Sequence, residues 1–221
     1  MKLYSGHLSV FGMKAEIAAF EKGLAVDVEL VPSSIAEGYE PKHPEVVRVN
    51  PKREVPVLID GDLELFDSTQ IFEYFEALRP EPALWPAEPR ARARARLLEL
   101  TIDEIFFPNV VQLFPKNRAA SGEAVAEHAL AAIHASYYDF ERRLEKQGRF
   151  LLGSFTYADI TLLAAQFMAE AVGATLPAAL ERLQAWREGL LKRPSAQPIA
   201  RAVDYLKSAG LVLSSYARLV S

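Results

Sequence analysis

Cysteine is absent from the chain. That excludes a disulfide framework, a thiolate metal site and any cysteine nucleophile or redox pair. Histidine is scarce as well. The four histidines, at 7, 43, 128 and 134, show no metal-binding spacing such as H-x-x-x-H, so no metal is expected. No apolar run approaches a membrane span, and the opening MKLYSGHLS lacks the apolar core of a secretory signal. Positive charge is not in excess either: the formal net charge is −4, which argues against a nucleic-acid or anionic-membrane footprint. The one basic run is PRARARARLLEL. A two-residue step turns a helix by about 200°, so Arg90 and Arg94 share one face while Arg92 and Arg96 take roughly the opposite one. These read as solvated positions. A protein of the cytoplasm, without nucleic-acid or membrane partners, is expected.

What the chain does have is 221 residues, 50% of them hydrophobic and 24% charged, enough for one large domain or two modest ones. The first eighty residues alternate strand and helix signals. Lys2 to Ser5 reads as a strand. Met13, Ile17, Phe20 and Leu24 recur at helical spacing, and Lys22-Gly23 supplies a stop. VDVELV, Val26 to Val31, alternates like a half-buried strand. Pro32 to Asn50 is irregular, with a short helix at most. VPVLIDGDLELF reads as two strands joined at Asp60-Gly61-Asp62, a hairpin signal. Ile71, Phe75 and Leu78 mark a helix that Asp67-Ser68 begins. The order is β-α-β-(α)-β-β-α.

At Pro80 the character changes. RPEPALWPAEPR holds four prolines and reads as a linker over 81–89. Helical patterns follow over Arg90–Phe114, Glu123–Lys146, Tyr157–Val172, Pro177–Leu191 and Ile199–Lys207, with no strand pattern. The fold class is therefore α/β plus all-α: an α/β domain over 1–80 and an all-helical domain over 90–221.

Within this frame YSGHLSVFGMK places Ser9 where a strand feeds a helix through a small polar loop. Such a junction presents a nucleophile or holds an anion. It equally suits a plain N-cap, with the hydroxyl accepting from a backbone N–H. Thr156-Tyr157-Ala158-Asp159 fits a capping box and predicts a structural helix start. IFFPNVVQLFP carries Pro108, expected to kink its helix, among large apolar side chains.

Four stretches, in this order, together resemble the glutathione S-transferase superfamily: LYSGHLSVFGMKAEIAAFEKGL, VNPKREVPVLIDGDLELFDSTQIFEYFE, ALWPAEPRARARAR and FLLGSFTYADITLLAAQ. The likeness covers essentially the whole chain. It implies a thioredoxin-like glutathione-binding domain, a helical domain lining a second-substrate cleft, and a homodimer. It puts Ser9 at the catalytic serine position. There the hydroxyl is a donor to the glutathione thiolate and not itself the nucleophile. A free thiol titrates near 8.5, and one charge-assisted hydrogen bond of about 1.5–3 kcal/mol lowers that by roughly one to two pKa units. The missing cysteine fits this role, because the sulfur arrives with the ligand.

The same resemblance implies further roles. Val55-Pro56 is a cis pair, with Val55 offering its backbone to the cysteinyl residue of glutathione. Asp67 and Ser68 take the γ-glutamyl amine and carboxylate. Lys42 or Arg53 meets the glycyl carboxylate, while Glu54 departs from the family pattern by placing a like charge there. His7, Leu8, Phe106, Phe107, Val110 and Phe114 line the second-substrate cleft, which suits a small hydrophobic electrophile. The function implied is a glutathione transferase with glutathione as co-substrate. A glutathione-dependent isomerase or dehalogenase, and a non-catalytic regulatory member of the family, are the alternatives.

Overall fold

The protein is described by a computed structural model over residues 1–32, 39–213 and 215–216. The lone Asp-Gly-Asp hairpin signal has its counterpart in β3 (Val57–Asp60) and β4 (Leu63–Phe66), joined by Gly61-Asp62 with Gly61 at φ +64°. A two-residue hairpin loop requires that sign of φ, which glycine adopts without steric cost. β3 also pairs antiparallel with β1 (Lys2–Ser5), which runs parallel to β2 (Asp27–Leu30), giving the order β2-β1-β3-β4. Period-2 alternation sends Leu3 and Leu58, which are register partners, to one face. There they pack with Ala15, Ala19, Ile71 and Phe75 from α1 (Val10–Glu21) and α3 (Ser68–Leu78). Tyr4 and Val57, the next pair, face the other way, with Val31, Val46 and Val55. Val46 belongs to the short α2 (Pro44–Val49), the one helix among the described residues of a segment read from sequence as largely irregular.

The stop at Lys22-Gly23 is a Schellman motif. Gly23 N–H donates to the Phe20 carbonyl and Leu24 N–H to that of Ala19, with Gly23 at φ +61°. Lys22 is fully buried. Its ammonium meets Glu76 at 2.7 Å and the carbonyls of Pro80 and Pro82 at 3.1 and 2.6 Å. A buried ammonium needs such partners, and they pin the start of the linker.

Contacts divide the chain into one unit of Met1–Ala83 with Pro194–Ser221 and another of Leu84–Arg193. The division at 83/84 falls inside the proline-rich linker. The sequence reading instead groups all of 90–221 as helical domain. The difference is α10 (Gln197–Ser208), which packs on α1 and ties Arg201 to Glu16 at 2.7 Å. A helix's partners across nearly two hundred residues of chain are not written in its own periodicity.

In the second unit, linker residues are themselves core. Leu84 and Trp85 are buried, the indole edge-on to Tyr157 at 5.7 Å. The helices are α4 (Pro89–Thr101), α5 (Phe107–Gln112), α6 (Pro115–Ser121), α7 (Glu123–Gln147), α8 (Tyr157–Ala171) and α9 (Glu181–Leu191). The kink expected at Pro108 takes the form of a π-helical turn, Ile102–Phe106, between α4 and α5. Proline lacks an N–H and crowds the carbonyl four residues back, and a widened turn accommodates both. Asn109 Nδ2 donates to the Ile105 carbonyl at 2.8 Å, a side-chain bond to this turn. α6 is an addition to the expected helices, and α9 starts at Glu181 rather than Pro177.

Apolar nearly all round, α8 is buried over Tyr157–Glu170. Its first turn carries the capping box: Thr156 N–H donates to Asp159 Oδ2 at 2.9 Å. Among the described residues no helix is long and apolar enough to cross a membrane.

Candidate active site

Register brings the separated motifs to one end of the sheet. β1 ends at Ser5, and the loop Gly6-His7-Leu8 leads from it to Ser9, the N-cap of α1. Because Tyr4 pairs antiparallel with Val57, Val55-Pro56 enters beside that end of β1. Val57 in turn pairs with Phe66, so Asp67-Ser68 leaves β4 at the same end. β2 is parallel to β1 with Ser5 opposite Leu30, so the chain beyond Leu30 also departs there. Three motifs spread over sixty residues thus converge through hydrogen-bond register alone.

Ser9 is 7% exposed, and its Oγ accepts from Gly12 N–H at 3.0 Å. The plain N-cap role is therefore real. It uses only a lone pair and leaves the hydroxyl proton to donate. Burial pushes the nearby Tyr39 phenol well above its usual range, and the Ser9 hydroxyl acts in the opposite direction. Gly12 allows this packing: a Cβ there would stand 2.3 Å from Ser5 Oγ and 3.1 Å from Ser9 Cβ. Behind the cap, Ser5 Oγ donates to Glu16 Oε1 at 2.5 Å, and Arg201 Nη2 donates to both Glu16 oxygens at 2.9 and 2.7 Å. His7 stacks on Tyr205, centroids 4.5 Å apart and 8° from parallel, and its Nδ1 is buried without a hydrogen-bond partner. Burial holds the imidazole below its ordinary value, the Arg201 charge adds to that, and Glu16 opposes it.

The Val55-Pro56 peptide is cis. Val55 is buried and lies beyond the last β1–β3 ladder pair. Asp67 caps α3 with Oδ1 accepting from Thr69 N–H at 3.0 Å and Gln70 N–H at 3.1 Å. Its backbone has φ +74°, outside the comfortable range for a residue with a Cβ, while the adjacent Ser68 is buried. Arg53 also has positive φ, +58°. Arg53 and Glu54 are exposed, and Asn50 Nδ2 donates to the Glu54 carbonyl at 2.5 Å. Lys42 is half-buried and lies 3.6 Å from Glu40.

The residues read as lining a second-substrate cleft fall in both units. His7 and Leu8, just before Ser9, are half-buried. In the helical unit Phe106 packs against Tyr137 and Phe140, centroids 5.7 and 5.8 Å away. Val110 is fully buried and Phe107 nearly so, whereas Phe114 is half-buried. Packing within the unit thus accounts for Phe106 on its own. The sequence reading missed Tyr39, Tyr205, Arg201 and the Ser5–Glu16 pair. Tyr39 lies inside the stretch from Pro32 to Asn50 that the sequence reads as irregular, and Tyr205 stands almost two hundred residues from His7, so no spacing signals either. Among the described residues no group of three or more metal-ligating side chains occurs.

Residues 3–83 match the family model of the glutathione S-transferase N-terminal domain, and residues 102–194 that of the C-terminal domain. A stringent starvation protein A homolog of Coxiella burnetii is 38% identical over 109 residues, 48% of this chain and 48% of that protein. The chain thus matches about half the length of that relative. Glutathione S-transferase 3 of Zea mays is 31% identical over 214 residues, covering 92% of this chain and 94% of the other. The crystal structure of a glutathione S-transferase from Rhodospirillum rubrum F11 superposes with a TM-score of 0.77 at 25% identity, over 90% of this chain and 91% of that one.

Proposed function

We propose, for a chain that belongs to the glutathione S-transferase family, that it is a glutathione transferase in which Ser9 stabilises the glutathione thiolate for attack on a small hydrophobic electrophile. The observation that carries this reading is the convergence of Ser9, Val55-Pro56 and Asp67-Ser68 on one end of the sheet. Each member of that set suits one part of the tripeptide. The Asp67 carboxylate, which caps α3 through Oδ1, suits the γ-glutamyl amine through its other oxygen. The Ser68 hydroxyl, at the start of α3, suits the adjacent carboxylate. Val55, past the end of its ladder, suits backbone pairing with the cysteinyl residue. The thiol then comes to the Ser9 hydroxyl and the first amides of α1, both of which favour an anion. The glycyl carboxylate falls to Lys42 or Arg53. The protein acts in the cytoplasm as a homodimer. Calorimetric titration of the full chain with glutathione tests the reading: binding at millimolar ligand is expected, and its absence overturns the assignment.

A second reading has its own support. The relative named stringent starvation protein A homolog is named for starvation and not for a transfer reaction, and Glu54 puts an exposed carboxylate next to Val55. On that reading the chain is a non-catalytic regulatory member. It retains the Ser9, Val55-Pro56 and Ser68 set all the same, and a chain that bound no glutathione would gain nothing from it. The transferase reading therefore ranks first. An isomerase or dehalogenase would use the same thiolate, and substrate profiling separates these reactions once glutathione binding is established.

A further inference from the structure

We propose that α10 holds the loop that presents Ser9, with Arg201 and Tyr205 as positioning residues; the inference rests on the glutathione reading above. Four residues apart, Arg201 and Tyr205 share one face of α10. That helix belongs to the same compact unit as the sheet, although it follows nearly two hundred residues later in the chain. The two side chains close on the β1–α1 junction at different points. Arg201 Nη2 donates to both oxygens of Glu16, at 2.9 and 2.7 Å. Glu16 is buried, and its Oε1 also accepts from Ser5 Oγ at 2.5 Å. One turn further along α10, the Tyr205 ring lies on His7, with centroids 4.5 Å apart and planes 8° from parallel. Ser195, in the short turn before α10, adds a third point: its Oγ donates to Oε1 of Glu21, the last residue of α1, at 2.5 Å.

The junction so gripped is short. Ser5 ends β1, and Ser9 caps α1. Ser9 N–H donates to the Gly6 carbonyl at 3.1 Å, which ties the serine directly to the loop backbone. Ser9, Gly12 and Glu16 fall on one face of α1. The Ser5 hydroxyl sits against that face: a Cβ on Gly12 would stand 2.3 Å from Ser5 Oγ and 3.1 Å from Ser9 Cβ. A displacement of Ser5 or His7 is therefore passed on to Ser9. The ion pair matters for charge as well. Without Arg201, the Glu16 carboxylate would stand about two helical turns from Ser9 with its charge uncompensated, and a like charge there disfavours an anion at the serine. Arg201 and Tyr205 act through the loop and its serine, not on the sulfur.

Thiolate absorbance of the glutathione complex, titrated against pH, tests this in the full-length wild type, Tyr205→Leu, Tyr205→Phe and Arg201→Gln, with thermal unfolding to show that each is folded. Tyr205 is half-buried and leucine is a good helix former, so Tyr205→Leu keeps α10 while removing the stack. Its thiolate fraction at neutral pH is expected to fall roughly twofold to fivefold. Tyr205→Phe keeps a ring on His7 and is expected to restore the wild-type titration. Arg201→Gln, which removes the cation beside Glu16, is expected to lose at least as much as Tyr205→Leu; where it does not fold, the two Tyr205 variants decide. In a Ser9→Ala background Tyr205→Leu is expected to shift the titration no further, since the effect passes through the serine. A wild-type titration in Tyr205→Leu or in folded Arg201→Gln overturns the inference. So does a Tyr205→Phe titration that matches Tyr205→Leu, or a further shift in the Ser9→Ala background. If the wild type binds glutathione with a thiolate sensitive to Ser9 but not to α10, only this inference fails. If the wild type binds no glutathione, the transferase reading fails and takes the inference with it.

Discussion

Asp159→Ala should destabilise the helical unit severely while leaving the chemistry at Ser9 without a direct cause for change. Asp159 is fully buried, and its carboxylate accepts four hydrogen bonds. Oδ1 takes Leu151 N–H at 3.1 Å and Trp186 Nε1–H at 2.9 Å; Oδ2 takes Thr156 N–H at 2.9 Å and its hydroxyl at 3.1 Å. Burial pushes the carboxyl pKa up, and these donors pull in the opposite direction. Truncation strands three N–H groups, each costing about 1–3 kcal/mol when buried without a partner. Water entering the vacated space recovers part of that, so a net loss of about 3–5 kcal/mol is expected, the range for breaking a buried charged network. For a chain of this size each kcal/mol moves the melting temperature by about 2–4 °C. Asp159→Asn gives the control. Its amide oxygen can keep the Leu151 and Trp186 bonds, but its NH2 group opposes the Thr156 N–H. The loss is then that of one donor, about 1–3 kcal/mol. Urea unfolding of the three proteins should rank wild type, Asn, Ala. An Asn variant as stable as the wild type, or an Ala variant within about 1 kcal/mol of it, refutes the argument that the carboxylate organises this junction.

Three further outcomes follow from the site. His7 has its pKa held below the ordinary 6.5, so the unfolded chain binds more protons in that window and wild-type stability rises with pH through it. Relative to His7→Phe, the wild type should lose stability as pH falls below about 6.5; parallel stability–pH curves for the two proteins contradict this. Gly12→Ala should destabilise although alanine is the better helix former, because its Cβ would stand 2.3 Å from Ser5 Oγ. The expected overpacking cost of about 1–3 kcal/mol exceeds a propensity gain of about 1 kcal/mol, and thermal unfolding reads the sign. Glu54→Gln should bind glutathione roughly twofold to fivefold tighter by titration, since it removes a like charge from the glycyl end; unchanged affinity means that side chain faces away from the ligand.

Local chemistry made much of the fold legible in advance. The Schellman stop at Lys22-Gly23, the turn at Gly61-Asp62 and the capping box at Thr156 to Asp159 each depend on a few adjacent residues, and each is present in the structure. The kink at Pro108 could be anticipated because proline cannot join the helix ladder. Its form as a π-helical turn could not, since that depends on how neighbouring helices hold both ends. The placement of α10 against α1 was hidden for a similar reason: Arg201 and Glu16 meet across 185 residues of chain.

At the site, Ser9, Val55-Pro56 and Asp67-Ser68 stood out as short patterns, and strand register explains why they meet. Tyr39 and Tyr205 carried no such pattern. The positive φ of Arg53 is likewise invisible in a residue type that rarely adopts it. For Phe106 and Val110 composition was ambiguous, because a core and an apolar cleft use the same side chains.

The claim at the centre of this account is that the Ser9 hydroxyl donates to a bound thiolate, and thiolate absorbance of the glutathione complex in wild type and Ser9→Ala measures it most directly. Loss of a charge-assisted bond of about 1.5–3 kcal/mol should reduce ionisation of the bound thiol roughly tenfold to a hundredfold, with glutathione still bound. Equal thiolate absorbance in the two proteins at the same pH would contradict the claim and leave Ser9 as a helix cap alone.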